Sequence, residues 1–195
     1  MDDDERILSR GQKFFKAKIM GNEKQVYAAV KQSLRNPSAS TTTAATEYGA
    51  NNESTARKTY CEKTRQYVLE TGLWLFPSGK IGASPDGIVY TDDTLMIPCG
   101  VIEIKCPYNL RDANKRALEE FAESHHREHY GQVQGELAAT GLPWCDLVYW
   151  SPQGLWKKRI KQHMNFKTLN LPMLEQEFIE DMPNKLKCMH IIKDF

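Results

Sequence analysis

Apolar positions in the first half of the chain change from a helical spacing to short strand-like runs near Gly72. Residues 5–35 predict a weak helix that ends near Asn36-Pro37, because proline disfavours helix in the residue before it. Small and aromatic residues between 47 and 71 recur at helical intervals and predict a second helix. The Ser/Thr/Ala run 38–46 between them fits either a linker or a loop held by a substrate. An antiparallel meander is then predicted, with strands over 73–76, 80–83, 87–90 and 101–106.

The second half of the chain returns to helical spacing, then to strands, then to a helix. Charged, helix-favouring residues predict two helices, and Gly141 and Pro143 close the second of them. A Ser-Pro-Gln-Gly turn between two apolar runs predicts a hairpin. The predicted elements are helices over 111–124 and 127–140, strands over 146–150 and 155–161, and a final helix over about 170–186 interrupted by Pro183. This order predicts an α/β domain.

The composition of the chain limits the classes of function that it can have. The chain has 195 residues, of which 41% are hydrophobic, and this suits a single domain with helices on both faces of a sheet. Its formal charge of +1 means that any nucleic-acid surface must be local. Five scattered cysteines without a C-x-x-C pair are typical of reduced thiols, so we expect no zinc or iron–sulfur centre. An acidic N-terminus and the lack of a long apolar stretch predict a soluble, intracellular protein that is neither secreted nor membrane-bound.

Two acidic residues and a lysine form the strongest candidate site. Strand alternation places Glu103 and Lys105 on one face of a strand whose other face is aliphatic. Asp86, in a preceding turn, and Glu103 offer hard oxygen ligands suited to Mg²⁺ or Mn²⁺. We expect the carbonyl of Ile104 as a further ligand, and Glu53, on the inward stripe of its helix, as a third carboxylate that acts through water or a second ion. With Lys105 to orient or deprotonate a water, this set predicts phosphodiester hydrolysis.

Each of these pieces has a simpler interpretation. The segment 84–87 reads Ser-Pro-Asp-Gly, an ordinary turn tetrad whose glycine is free to take a positive φ. Glu103 and Lys105 also fit the solvated face of an edge strand. Glu53 and Arg57 have the spacing of a common helical ion pair. The catalytic interpretation is favoured because all three pieces occur in an order that can converge on one pocket.

Four motifs in order resemble the phage lambda exonuclease (YqaJ) family of the wider PD-(D/E)xK nuclease superfamily. They are Gly49-x3-Glu53-x2-Ala56-Arg57-x2-Tyr60, Ser84-Pro85-Asp86-Gly87, Glu103-Ile104-Lys105-Cys106-Pro107 and Tyr130-Gly131-Gln132-Val133-Gln134. The resemblance covers roughly residues 45–151. It implies a restriction-endonuclease-like core with a central mixed β-sheet, in one nuclease domain over 1–195 whose motif-bearing part is about 45–161.

The resemblance also implies roles for individual residues. Asp86, Glu103 and the Ile104 carbonyl are similar to metal ligands, and Lys105 is similar to the catalytic lysine. Glu53 resembles the helix carboxylate near the metals. The glutamine that positions the lysine or the water is matched by Gln132, whereas helical periodicity favours Gln134 as the inward residue. Candidate phosphate contacts are Ser84, which resembles a serine that binds the 5′-phosphate, and Arg57.

The function implied is a Mg²⁺-dependent deoxyribonuclease with one or two ions, for which Mn²⁺ can substitute. The leading hypothesis is a 5′–3′ exonuclease that acts on double-stranded DNA ends in recombination or end processing and leaves 5′-phosphates. Family members form ring-shaped trimers and work with a single-strand annealing protein. An endonuclease on the same fold, or a non-catalytic DNA-binding or scaffold module, are the alternatives. The family's upstream arginine and I-T-A-S-like segment have only a loose counterpart in 38–43.

Three further groups of residues stand out. Basic residues alternate along the last predicted strand and fit either a DNA-backbone contact or a solvated face; they are Lys157, Arg159 and Lys161. His125, His126 and His129 lack a third ligand at a known spacing, so a solvated helix surface is favoured over a zinc site. Trp144, Trp150 and Trp156 are interpreted as packing residues rather than base-stacking platforms.

Overall fold

A computed structural model of the chain describes residues 43–77, 82–166, 168, 172–173 and 176. The helix predicted over 5–35 lies outside these residues, and so does most of the one predicted over 170–186. Three helices are described: α1 (Ala44–Thr64), α2 (Lys115–His125) and α3 (Tyr130–Thr140). The strands are β1 (Tyr67–Leu69), β2 (Trp74–Leu75), β3 (Gly82–Ala83), β4 (Gly87–Tyr90), β5 (Pro98–Lys105), β6 (Trp144–Ser151) and β7 (Gly154–Lys161). Short 3-10 helices span Tyr108–Leu110 and His126–His129.

Five strands form one mixed sheet in the order β1-β4-β5-β6-β7. The central pair, β5 and β6, is parallel, and the other neighbours are antiparallel. A parallel pair needs a long crossover, and α2 and α3 provide it between β5 and β6. The predicted hairpin of β6 and β7 is present. The predicted α/β class with a central mixed sheet and helices on both faces is confirmed.

The two faces of the sheet have separate hydrophobic cores. Helix α1 packs over one face, where Ala56 and Tyr60 meet Ile102 and Ile104. On the other face α3 packs over Val101 and Cys145, and α2 packs over Leu147 and Tyr149. Because side chains alternate along a strand, Glu103 and Lys105 belong to the face covered by α2 and α3. The alternation predicted for β5 is therefore present.

The helix predicted over 47–71 is wrong at its C-terminal end. It stops at Thr64, where Arg65 takes a left-handed conformation with φ of 56° and donates its N–H to the carbonyl of Cys61. Residues 67–69 then pair with β4 as an edge strand, and this buries part of Val68 against the core of that face. The helix also begins earlier than predicted, because the Thr43 side chain caps it by accepting from the N–H of Thr46.

The predicted four-strand meander is wrong at one of its three pairings. Strands β2 and β3 pair antiparallel, and so do β4 and β5, but β2 and β3 form a separate two-stranded sheet that does not join β4. This small sheet contacts α3, which also packs on β5 and β6 of the main sheet. Helix α3 therefore has neighbours in both sheets, and its residues 131–138 are all buried.

Candidate active site

The pairing of β4 with β5 brings Asp86 to the carboxyl end of β5. Gly87 lies opposite Ile102, so the preceding Asp86 reaches Ile104, and its Oδ2 accepts the Ile104 N–H at 2.6 Å. Gly87 is needed for its small size, because a Cβ there would lie 2.5 Å from Val68 Cγ1. The N–H and carbonyl of a strand residue point to the same neighbouring strand, so the Ile104 carbonyl faces the Asp86 side.

Lys105 lies in a hydrogen-bonded network with two other side chains. Its Nζ donates to Glu103 Oε1 and, at 3.2 Å, to Gln132 Oε1. The Gln132 amide nitrogen donates to Glu103 Oε1 and, at 2.7 Å, to Glu136 Oε1. Glu103, Gln132 and Glu136 are all buried. Charged groups at such depth need partners, and here each belongs to one polar network between β5 and α3.

Burial and closely placed carboxylates together determine the electrostatics of this pocket. Burial, and then the neighbouring charge of Glu103, raise the pKa of Asp86 from 3.8 to about 7, although the Ile104 N–H and Lys105 act in the opposite direction. For Lys105, burial lowers the pKa, but Glu103 and Asp86 raise it more, so the net direction is upward. The lysine is therefore an ammonium at neutral pH.

Glu53 on α1 contributes a charge that raises the pKa of Asp86 further. Its Oε1 accepts from Arg57 at 2.6 Å, and Arg57 in turn donates to Glu70 at 3.1 Å. Burial, together with the charges of Glu53 and Asp86, raises the pKa of the Cys106 thiol to about 12. The charge of Glu53 therefore acts on Asp86, and Glu53 also forms the helical ion pair with Arg57.

The donor set of Asp86, Glu103 and the Ile104 carbonyl fits a divalent cation. Two carboxylates whose proximity raises the pKa of Asp86 create a site where a cation would relieve repulsion. Mg²⁺ keeps several waters and takes one or two carboxylates, so it does not need a cage of protein ligands. Among the described residues, no three or more His, Cys, Asp or Glu side chains are grouped so that they could hold a metal ion.

Comparisons with known families and solved structures identify the family of the chain. The YqaJ-like viral recombinase domain family matches residues 16–143. The chain belongs to this family. Its structure is similar to an alkaline exonuclease, LHK-Exo, from Laribacter hongkongensis, with 26% identity, a TM-score of 0.57, and coverage of 91% of this chain and 87% of that one. LHK-Exo in complex with dAMP gives 24% identity, a TM-score of 0.64, and coverage of 96% and 95%. No curated protein matches the chain.

Both candidate glutamines of this YqaJ-like domain are buried, and they do different things. Gln132 contacts Lys105 and Glu103. Gln134 donates to the Lys161 carbonyl at 2.9 Å and accepts from the His163 N–H at 2.7 Å, so it fastens α3 to the end of β7. The periodicity that favoured Gln134 and the resemblance that favoured Gln132 each identify an inward residue, because residues 131–138 of α3 are all buried.

The basic stripe on β7 lies on the opposite face of the sheet from Lys105. Strand register puts Arg159 beside Asp146 and Lys157 beside Val148, on the face covered by α1. Arg159 binds both carboxylate oxygens of the fully buried Asp146 at 2.8 Å, and its guanidinium lies 3.5 Å from the centre of the Trp144 ring. Phosphate contact by Lys157, Arg159 and Lys161 stays a prediction. Ser84, another candidate phosphate contact, is exposed and lies two residues before Asp86.

The histidines do not form the solvated surface that we expected. His126 is buried and its Nε2 lies 2.9 Å from Lys158 Nζ, while His125 stacks on Phe121 and His129 packs near Tyr149. The rings of His126 and His129 contact Trp156 on β7 and Tyr149 on β6. The tryptophans pack as predicted: Trp150 is buried, Trp144 lies under a guanidinium, and Trp156 contacts an aromatic neighbour.

One residue of the network, Glu136, was not identified from the sequence. Two features of the sequence could have identified it. Glu136 is four residues after Gln132, which places both side chains on one side of α3, and it is a glutamate among small and apolar residues. Without the fold, both features are equally consistent with an exposed helix position.

Proposed function

We propose that this YqaJ-like domain is a Mg²⁺-dependent exonuclease that hydrolyses double-stranded DNA from an end. The observation that carries the proposal is the meeting of Asp86, Glu103 and Lys105 at the carboxyl end of β5, with Gln132 against the lysine. The similarity to an alkaline exonuclease at 26% identity over most of both chains supports the same reaction class.

Each residue of the pocket has a chemical task in this proposal. A divalent cation, held by Asp86, Glu103 and the Ile104 carbonyl, would polarise the phosphoryl group and favour ionisation of a water. In the metal-free site the charges of Glu103 and Asp86 raise the pKa of Lys105, and in this proposal its ammonium orients the attacking water or contacts the phosphate. Glu103 and Gln132 hold the ammonium in place. Adding water across the P–O3′ bond leaves a 5′-phosphate and a 3′-hydroxyl.

Ser84 and Arg57 are our candidates for binding the DNA end. Ser84 is exposed two residues before Asp86, and Arg57 donates to Glu53, whose charge acts on Asp86. We propose that the Ser84 hydroxyl contacts a 5′-phosphate, so a Ser84→Ala variant should lose the preference for 5′-phosphorylated over 5′-hydroxyl ends. A preference that is unchanged in this variant would remove Ser84 from that role. Assembly into a ring and the use of an annealing partner stay predictions of the resemblance.

The proposal is tested with three DNA substrates in the presence of Mg²⁺ or a chelator. Linear duplex DNA should be digested only with Mg²⁺, closed circular DNA should stay intact, and label at a 5′ end should be released before label at a 3′ end. Cutting of the closed circle would identify an endonuclease. Binding of the duplex without digestion under any metal would identify a non-catalytic DNA-binding module.

A further inference from the structure

The amide of Gln132 needs a defined orientation to serve Lys105. A glutamine side chain offers an oxygen that accepts and a nitrogen that donates, and rotation by half a turn exchanges them. Only the oxygen can accept from the ammonium of Lys105, which lies 3.2 Å from it. With the opposite orientation, the NH₂ group would face the ammonium and neither could accept. The geometry around the nitrogen therefore determines whether Gln132 can hold the lysine.

Two carboxylates fix that orientation. The Gln132 nitrogen donates to Glu103 on β5 and, at 2.7 Å, to Glu136 one turn further along α3. Glu103 alone would not hold the Gln132 nitrogen in place, since Glu103 also accepts from Lys105 and belongs to the proposed metal site. Glu136 accepts from Gln132 on the far side of the amide, within the same helix, and is itself 2% exposed.

We propose that Glu136 is a positioning residue for the nuclease reaction: it holds the Gln132 amide with its oxygen toward Lys105. The inference rests on the proposed function for its catalytic consequence, but the orientation of the amide exists without DNA or metal. Glu136 does not touch the reacting atoms, and it acts through Gln132. Partners of this kind, which orient the groups around a reactive centre, typically change activity about tenfold to a hundredfold when removed.

Two substitutions separate positioning from general support of the fold. Glu136→Gln keeps an oxygen that can accept from the Gln132 nitrogen and should retain most activity. Glu136→Leu keeps a similar volume but removes the acceptor, and it should lower kcat about tenfold or more with little change in KM. In a Gln132→Ala background, Glu136→Leu should have little further effect on kcat, because the amide that it positions is already gone.

A second readout uses the protein without metal or DNA. The side-chain NH₂ resonances of Gln132, assigned by their loss in Gln132→Ala, should exchange slowly with water in the wild type and in Glu136→Gln. In Glu136→Leu they should shift and exchange faster. Unchanged resonances in Glu136→Leu would overturn the proposal, and so would an equal loss of kcat in the wild-type and Gln132→Ala backgrounds. If the wild type digests no DNA, the proposed function fails, while the resonances still decide the orientation.

Discussion

Replacing Asp86 by asparagine should remove much of the pH dependence of stability in the metal-free protein. The pKa of Asp86 is raised in the fold from 3.8 to about 7 by burial and by Glu103. The folded state thus binds this proton more tightly than the unfolded state, so the free energy of unfolding falls as the pH rises between those two values. The full difference is worth up to about 4 kcal/mol, and water at the half-buried carboxyl reduces this to roughly 2–3 kcal/mol.

Asparagine keeps the hydrogen bond to the Ile104 N–H, because its amide oxygen still accepts, but it never ionises. Asp86→Asn should therefore match the wild type near pH 4 and exceed its free energy of unfolding by about 2–3 kcal/mol near pH 8. Urea unfolding in a chelating buffer across this range measures the difference. Asp112→Asn, at a carboxylate whose side chain is 85% exposed, is the matched control. Parallel pH curves for the wild type and Asp86→Asn would refute the reasoning.

Three further substitutions, each measured by urea unfolding, test residues that hold the site in place. Tyr60→Phe removes a 2.7 Å hydrogen bond to the buried Asp146 carboxylate and should cost about 1.5–3 kcal/mol; a loss below about 0.5 would contradict that bond. Gly87→Ala places a methyl group 2.5 Å from Val68 Cγ1 and should cost about 1–3 kcal/mol, so an unchanged stability would disprove the close approach. Gln134→Leu leaves two backbone groups unpartnered and should cost about 1–3 kcal/mol; loss of Lys105-dependent activity without loss of stability would reverse the roles of the two glutamines.

Much of the site was predictable because its residues lie on one continuous strand and on motifs with a fixed order. Alternation alone put Glu103 and Lys105 on one face, and the strand register agrees. The position of Asp86 followed from the motif order, and the β4–β5 pairing supplies the physical reason. The resemblance supplied Gln132, which the periodicity of α3 did not favour.

The elements that were predicted wrongly from the sequence depend on contacts between segments that are far apart in the chain. Residues 67–69 were predicted as helix because their apolar spacing continues that of α1, and only pairing with β4 makes them a strand. The pairing of β2 with β3 was predicted, but their separation from β4 was not, because it depends on contacts of this small sheet with α3. Glu136 was missed because a glutamate in a helix is usually exposed, and only the contact of Gln132 with both Glu136 and Glu103 shows that it belongs to the buried network.

The central claim is that the pocket at the end of β5 cleaves DNA, and the rate of digestion by a Lys105→Ala variant tests it most directly. The measurement compares this variant with the wild type and with Lys63→Ala, an exposed lysine in the last turn of α1. Linear duplex DNA with Mg²⁺ is the substrate, and each protein is first shown to be folded at the assay temperature. Our account predicts full activity for Lys63→Ala and a loss of at least about a hundredfold for Lys105→Ala. Equal digestion by Lys105→Ala and the wild type would contradict it.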